Sequence, residues 1–506
     1  AAGHLREGGL IFPGMVESPR RAGYFLLAFG SGFAVLTIEI AGARLIAPVF
    51  GLSVVPWTAV IGVILAALAL GSHLGGRLAD AGSVPLSRIL VAAGLTGALP
   101  VVGAGFPWVA RQLFGFIPGA VVSALVLFAP PVLCLGAVVP YLVQADTDSL
   151  GTVGRRAGDI SAAATAGSIL GSFTTGFVLL PAMPLTVLLG ATAGALIALA
   201  ALSNRLLEPP GEDETRLGLA AVALPALGLL FSGTSADTLH STQTLYTAVS
   251  VTERPWADGR VVRELWQNGG SSSAEYVETG APAHVYATAS LAMLDSLEAY
   301  PDRILVLGGA ALTLPVAFEA RDGAARTDVV EIDPEVTELA RTYFEFGRVE
   351  RPGIRVFHED GRVFLRGSQN TYGLVYLDVF DHLLTVPWTM VTREALADMA
   401  GRLDPGGVFM ANVLSPLGGP GTAFLARFRA TLESVFDDVR IYVTDPSTDA
   451  GATQSLIVVA TREAGALPAL PWQDAPVAGV GPPLTDMWAP VEYLQGKVFM
   501  QGLRWR

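Results

Sequence analysis

Arg303-Ile304-Leu305-Val306-Leu307-Gly308-Gly309 is followed, some twenty residues on, by Val329-Val330-Glu331-Ile332-Asp333-Pro334. The first is an apolar run that ends in glycines, and the second is an apolar run that ends in acids. In a doubly wound α/β sheet, two such runs are neighbouring strands. One carries a glycine turn at its tip and the other a carboxylate. That pair suits a nucleoside, with Glu331 accepting from the ribose hydroxyls and Gly308-Gly309 letting the backbone approach closely. The glycines alone are a weak signal, because many strand ends carry them, and the spacing to Glu331 is what gives them weight.

Outward from this pair the chain alternates. Strands are predicted near 303–308, 327–332, 354–357, 373–378, 407–413, 438–443 and 455–460, with helices near 312–320, 334–345, 388–402 and 420–435. Asp404-Pro405-Gly406-Gly407 reads as the turn before the fifth strand. The pattern predicts a mostly parallel, Rossmann-like sheet with helices on both faces. Ahead of it, Leu245 to Val251 and Val261 to Trp266 read as a small β-hairpin region turning at Pro255 to Gly259. Asn268-Gly269-Gly270 is a further turn, and a helix is expected over about 283–299.

Upstream the texture is different. The 506-residue chain is 51% hydrophobic and only 15% charged, against roughly 25% charged in average soluble domains, and its mean hydropathy is +0.50. The deficit is concentrated in residues 23–235. Apolar spans long enough to cross a bilayer occur at 24–48, 54–75, 88–108, 119–143, 160–180 and 184–203, with a shorter seventh at 217–233 that contains Pro225. The expected organisation is an N-terminal segment (1–22), a multi-pass helical membrane domain of six or seven spans (23–235) and a nucleoside-binding domain (236–506). Arg20 and Arg21, Arg77 and Arg88, Arg155 and Arg156, and Arg205 with Arg216 fall on one side of the spans. The positive-inside rule places that side in the cytoplasm. With six spans the second domain is cytoplasmic, on a bacterial inner or plasma membrane, and with seven it would face outward. Arg20 and Arg21 precede a span too long for a signal peptide, so no cleavable leader is expected.

Inside the first span, Glu39 and Arg44 are either a structural ion pair or part of a substrate pathway. Gly71-Ser72-His73-Leu74-Gly75-Gly76-Arg77-Leu78-Ala79-Asp80 resembles the loop between the second and third helices of major-facilitator transporters. Gly167-Ser168-Ile169-Leu170-Gly171 has the small-residue spacing that lets membrane helices pack closely.

A net charge of −13 argues against a nucleic-acid partner. The single cysteine, Cys134, rules out a disulfide within the chain. Only Lys497 among the 32 basic residues is a lysine, which disfavours Schiff-base chemistry. The six histidines show no metal-ligand spacing, so no metal is expected.

Further candidates sit at other strand ends. His358-Glu359-Asp360-Gly361 closes the third strand, where Asp360 either accepts from an adenine amino group or caps a helix. Asp333 stands equally well as a nucleoside ligand or as a cap ahead of Pro334. Asp378 and Asp381 leave the fourth strand, where open α/β sheets bind ligands. Such acids can attract a cationic amine, and one can take its proton as the nitrogen attacks. His284 lines the site or caps the helix that follows it.

Taken together, residues 240–465 resemble the spermidine synthase (polyamine aminopropyltransferase) family, and the whole chain resembles its membrane-fused branch. The Gly308-Gly309 turn, Val330-Glu331-Ile332-Asp333, Glu359-Asp360-Gly361 and Asp378-x-x-Asp381 carry the likeness. By that resemblance Glu331 would hold the ribose, Asp360 the adenine end and Asp381 the amine, and Asp378 would be the base. The co-substrate would be decarboxylated S-adenosylmethionine or S-adenosylmethionine itself, and the partner an amine or other small nucleophile. A homodimer is admitted but not required. Three departures stand out. Ala311 replaces the aspartate of the family's glycine turn. Ser271-Ser272-Ser273 replaces its glutamine segment, and Ala283-His284-Val285 its Tyr-His-Glu run. The readings left open are an aminopropyltransferase-like enzyme, a methyltransferase on the same fold, and a transporter with a nucleoside-sensing domain.

Overall fold

The computed structural model describes residues 19–51, 54–147, 150–207, 223, 226, 237–297, 300–323, 325–380, 385–468, 470–477 and 481–500. Two compact units are present. One comprises Ala1–Ile46, Val55–Ala110 and Ile117–Gly233, and the other Ala47–Val54, Arg111–Phe116 and Thr234–Arg506.

The first unit is helical. Among the described residues five helices are long and apolar enough to cross a membrane: Pro19–Phe50, Pro56–Ala81, Ala129–Asp146, Val153–Ala182 and Leu185–Leu207. Leu86–Val102 and Phe106–Phe114 form a sixth if a pair bent by 75° counts as one span. The stretch expected as one span at 119–143 is broken at Phe128 into Phe116–Leu127 and Ala129–Gly136. Pro130 and Pro131 explain the break. Proline lacks the N–H that would continue the ladder, and its ring crowds the preceding turn. The seventh candidate, 217–233, lies outside the described residues apart from two isolated positions.

Glycines set the spacing of these helices. A Cβ on Gly167 would stand 1.9 Å from the Phe29 carbonyl oxygen, and one on Gly171 would stand 2.6 Å from that of Phe33. Gly71 and Gly75, read above as a transporter-like loop, instead lie inside a helix, Val54–Ala81. A Cβ at these positions would sit 2.1 Å from Leu133 O and 2.4 Å from Ala137 Cα. Their role is therefore close packing rather than a turn. Glu39 and Arg44 are five residues apart, so at 3.6 residues per turn their side chains leave the helix about 140° apart. That geometry does not favour the expected ion pair. A buried ionic cluster lies elsewhere, where Asp146 meets Arg21 at 3.3 Å and Arg156 at 3.5 Å.

The second unit opens with a four-stranded antiparallel sheet in the order β1 (Thr238–Gln243), β2 (Ala248–Pro255), β3 (Val261–Gln267) and β4 (Gly270–Tyr276). Only β2 and β3 were legible. β1 and β4 are polar, and β4 hides serines whose hydroxyls are hydrogen-bonded within the fold. Asn268 and Gly269, with φ of 46° and 79°, make the two-residue turn between β3 and β4, as a type I′ hairpin requires.

A seven-stranded sheet follows, in the order β10-β11-β9-β8-β5-β6-β7. Its strands are β5 (Arg303–Leu307), β6 (Arg326–Val330), β7 (Ile354–Phe357), β8 (Tyr372–Leu377), β9 (Leu403–Ser415), β10 (Asp438–Val443) and β11 (Gln454–Thr461). The five strands β5 to β9 run parallel, and β11 is antiparallel to both of its neighbours. All seven fall where the sequence predicted. The segment Asp404–Gly407 lies inside β9 as a register break between its pairs Tyr372↔Leu403 and Leu374↔Val408. Alternation along β5 sends Leu305 and Leu307 into one core, with Phe409, Leu396 and Phe424, and Ile304 and Val306 into the other, with Leu291, Phe318 and Tyr376. Helices therefore cover both faces. From β5 the chain goes to β6 and β7 on one side, and β8 and β9 lie on the other. The order thus reverses between β5 and β8, the switch point where such sheets bind ligands.

Replacing Gly167 by valine should prevent close approach to Phe29. The variant is expected to lose most of its monodisperse yield in detergent on size-exclusion chromatography. Gly158→Ala, where nothing stands within 4 Å of a new Cβ, should behave as the parent does.

Candidate active site

The site begins with backbone. Gly308 has φ +94°, and a Cβ there would stand 2.3 Å from the carbonyl oxygen of Asp378. Only glycine tolerates both the left-handed conformation and the contact. Hydrogen bonds from Gly308 N to Val330 O and from Asp378 N to Leu307 O, both 2.9 Å, carry the ladder one residue past the strands. The tips of β6, β5 and β8 are thereby locked side by side. Ala310 (φ 43°) and Leu312 (φ 57°) are left-handed without being glycine, a conformation that costs energy and is held by its surroundings.

Glu331 does much of the holding. It is buried, and its Oε2 accepts from Gly309 N and Ala310 N, each at 3.0 Å, while Oε1 accepts from Asp333 N at 3.0 Å. A carboxylate offers about four lone-pair positions, so room for a ligand hydroxyl remains at Oε1. Burial pushes the Glu331 carboxyl above its ordinary value, and these backbone donors oppose the shift.

Asp333 is placed differently. One oxygen caps the helix Pro334–Tyr343 through Glu335 N at 3.0 Å, and the other accepts from the Thr244 hydroxyl at 2.5 Å. Both of its oxygens are engaged within the fold and the residue is 2% exposed, so of the two readings the structure displays the cap. Asp360 caps a helix with one oxygen only. Oδ1 caps the helix Gly361–Gly367 through Arg362 N (2.9 Å) and Val363 N (3.1 Å). The residue is exposed, and Oδ2 accepts nothing from the described residues. Gly361 packs on Met390, which lies 3.0 Å from where its Cβ would be.

Asp378 follows β8, half-buried. Its Oδ1 accepts from Asn412 Nδ2 at 3.0 Å, and the Tyr286 hydroxyl, which donates to Ser272 O at 3.5 Å, stands near enough to favour its charged form. Burial pushes its carboxyl up to about 6, against the lowering effect of those two partners. Glu331 and Asp378 flank Gly308 on the strands either side of β5, roughly 10 Å apart at the usual strand spacing. Asp381 lies outside the described residues.

His284 occupies the N-cap position of the helix Val285–Leu294, yet its side chain does not cap. The ring places Nε2 3.1 Å from Ser271 Oγ and stacks on Tyr286 with centroids 5.7 Å apart. Trp256 meets it edge-on at 6.2 Å. His284 therefore joins the wall that contains Tyr286 and Asp378. Ala311 does not face this wall. It is fully buried among Val249, Val251, Leu265, Val336 and Phe344, and its N–H donates to Ser273 Oγ at 3.2 Å. An aspartate in that place would lie in an apolar core.

Sequence reading missed Asn412 and Tyr286. Asn412 had a findable signal, as a lone polar residue within the apolar run Val408-Phe409-Met410-Ala411, one position past the pair Leu377↔Ala411. Among the described residues no cluster of three or more His, Cys, Asp or Glu side chains could hold a metal.

Residues 287–446 match the family model described as the spermine/spermidine synthase domain. A polyamine aminopropyltransferase of Mycobacterium tuberculosis is 26% identical over 418 residues, 77% of this chain and 76% of that protein. These matches support a spermidine synthase-like family for the C-terminal part of the chain. The Mycobacterium alignment is longer than the 270 residues from position 237 to 506, so it reaches into the helical unit. The polyamine aminopropyltransferase of Vibrio vulnificus is 32% identical over 118 residues, and polyamine aminopropyltransferase 2 of Pseudomonas aeruginosa is 32% identical over 154. These matches take in 23% and 29% of this chain but only 38% and 43% of those two relatives. Among solved structures, a probable spermidine synthase from Corynebacterium glutamicum is similar over 46% of this chain and 81% of its own, at 21% identity and a TM-score of 0.38.

The division of labour between the two neighbouring acids can be checked. Asp333→Ala should lower stability by about 1–2 kcal/mol through loss of the cap, while methylthioadenosine binding stays within about threefold of the parent. Glu331→Gln should weaken that binding by about tenfold or more, one strong hydrogen bond's worth. Thermal melts and calorimetric titration read both. Equal loss of binding in the two variants would contradict the assignment.

Proposed function

We propose that the C-terminal domain is a membrane-anchored transferase of the aminopropyltransferase type, moving an alkyl group from a sulfonium nucleoside to an amine. The observation that carries this reading is Asp378. It lies at the switch point of the sheet, against the glycine turn, and is oriented by Asn412. Burial tunes it to about 6, which suits a base that works near neutral pH.

In the proposed reaction Glu331 holds the ribose of decarboxylated S-adenosylmethionine and Asp360 Oδ2 takes the adenine amino group. The lone pair of the amine nitrogen attacks the carbon next to the sulfonium. The carbon–sulfur bond breaks, and its electron pair neutralises the sulfur to release methylthioadenosine. The nitrogen gives up one proton to Asp378. Asp381, three residues further on, would help hold the amine. The protein's part is positioning and removal of one proton. The basic residues flanking the spans support a domain on the cytoplasmic side, where the nucleoside is made.

A second reading has a specific observation behind it. With Ala311 turned into the core, no acid at that place greets the amino group of an aminopropyl tail. S-Adenosylmethionine would then serve as a methyl donor on the same scaffold.

The full chain, purified in detergent, is incubated with either sulfonium nucleoside and a series of diamines, and the products are read by mass spectrometry. Methylthioadenosine with an alkylated amine is the expected outcome. S-Adenosylhomocysteine would favour methyl transfer, and neither product would end the enzymatic reading. Asp378→Asn should cut turnover by about 10²–10⁴-fold. Because the base must be ionised to accept a proton, kcat/KM of the parent should fall as pH drops below about 6 and level off above it.

A further inference from the structure

Glu39 has no part in the chemistry of the α/β domain. It sits in Pro19–Phe50, a helix of 32 residues, about 7 Å past the midpoint at 1.5 Å per residue. That depth is within the hydrocarbon core, where an ionisable side chain is costly and marks a partner or a pathway. Arg44 leaves the helix about 140° away and has an interaction elsewhere. Among the described residues nothing donates to the Glu39 carboxylate.

The neighbours of Glu39 show which way it points. Gly32, Val35, Gly42, Ala43 and Ile46 stand three, four or seven residues from it, on the same side of the helix. All five are buried, whereas Glu39 is only half-buried. An acid aimed at lipid would have exposed neighbours above and below it. This carboxyl is instead covered by packed protein above and below, and is open at its own level. Two glycines and an alanine among the five neighbours leave space there.

A broken helix stands beside this opening. A Cβ on Gly42 would lie 3.0 Å from the tip of the Phe128 ring, and Phe128 is fully buried at the break between Phe116–Leu127 and Ala129–Gly136. Pro130 and Pro131 bring no N–H. The carbonyls of Val126 and Leu127 therefore lack the donors that a continuous helix would supply four residues on. In membrane proteins, interrupted helices whose carbonyls are free line cation sites.

We propose that Glu39, Gly42 and the break at Phe128 form a binding site for a primary alkylammonium ion within the helical unit. The carboxylate answers the charge, and free carbonyls suit the remaining N–H groups. Gly42, Ala43 and Phe128 offer an apolar wall to the alkyl chain. A metal ion would gather several oxygen ligands at once, and among the described residues no cluster of three or more His, Cys, Asp or Glu side chains could hold one. The inference goes beyond the transferase reading, which concerns the other unit, and does not depend on turnover.

Equilibrium binding of radiolabelled 1-aminobutane to the full chain in lipid nanodiscs tests the site. The parent is expected to bind one equivalent more than Glu39→Gln. Glu39→Asp, which keeps the charge on a shorter arm, should retain that equivalent at weaker affinity. Ammonium chloride should compete at least about tenfold less well than unlabelled 1-aminobutane, because it has no alkyl groups to bury. Sodium chloride at matched ionic strength should not compete. Equal binding by the parent and Glu39→Gln, loss in Glu39→Asp as complete as in Glu39→Gln, or competition by either salt as strong as by the amine would overturn the proposal. Glu39→Gln should elute as the parent does in detergent and keep its turnover. A chain without turnover that still loses one equivalent on Glu39→Gln would count against the transferase reading alone. An active chain whose binding ignores Glu39→Gln would count against this inference alone.

Discussion

The tips of β5 and β6 depend on the grip of one carboxylate. Glu331 takes two backbone N–H groups from the glycine turn and one from its own strand end. That grip ties the tip of β5 to the tip of β6 and holds Ala310 in a conformation a free chain would abandon. An unpaired buried carboxylate would be costly, and so would three unpaired buried amides. Each cancels the other's penalty. The turn is thereby set before a ligand arrives, which reduces the ordering that binding must supply.

Much of the sheet could be read in advance because apolar strand cores of a parallel α/β fold are nearly continuous hydrophobic runs. β5, β8 and β11 advertise themselves in this way. What escaped was polar. β4 reads Gly-Ser-Ser-Ser-Ala-Glu-Tyr, and nothing in its pattern signals burial. Its serines fit the strand because each hydroxyl finds a partner in the fold: Glu264, Leu265 O or Ala311 N. Such partners are distant in sequence or on the other strand of a hairpin, so local pattern cannot anticipate them.

The site residues divide along the same line. Gly308, Glu331 and Asp378 were legible because strand ends in this fold have fixed roles. Asp333 and Asp360 were ambiguous, because an acid two residues before a helix's first free N–H groups is an equally good cap. Coordinates separate them by what the second oxygen does: Thr244 engages that of Asp333, and the second oxygen of Asp360 accepts from no described residue. In the helical unit, composition found the spans but not the break at Phe128. The signal was present in Pro130-Pro131, and it was outweighed by an unbroken run of hydropathy.

The contact between Gly308 and the carbonyl of Asp378 has a further consequence, for ancestry. Donor turn and acidic tip are fitted backbone to backbone, with no side chain between them to absorb a change. Drift at one cannot be accommodated by the other, so lineages that diversify this scaffold must do so at its periphery, in hairpin serines, pocket walls and appended helices. The departures from the family's pattern noted above, at Ser271 to Ser273 and at Ala283 to Val285, lie in that permitted territory. Ala311 lies next to it, turned away from the joint.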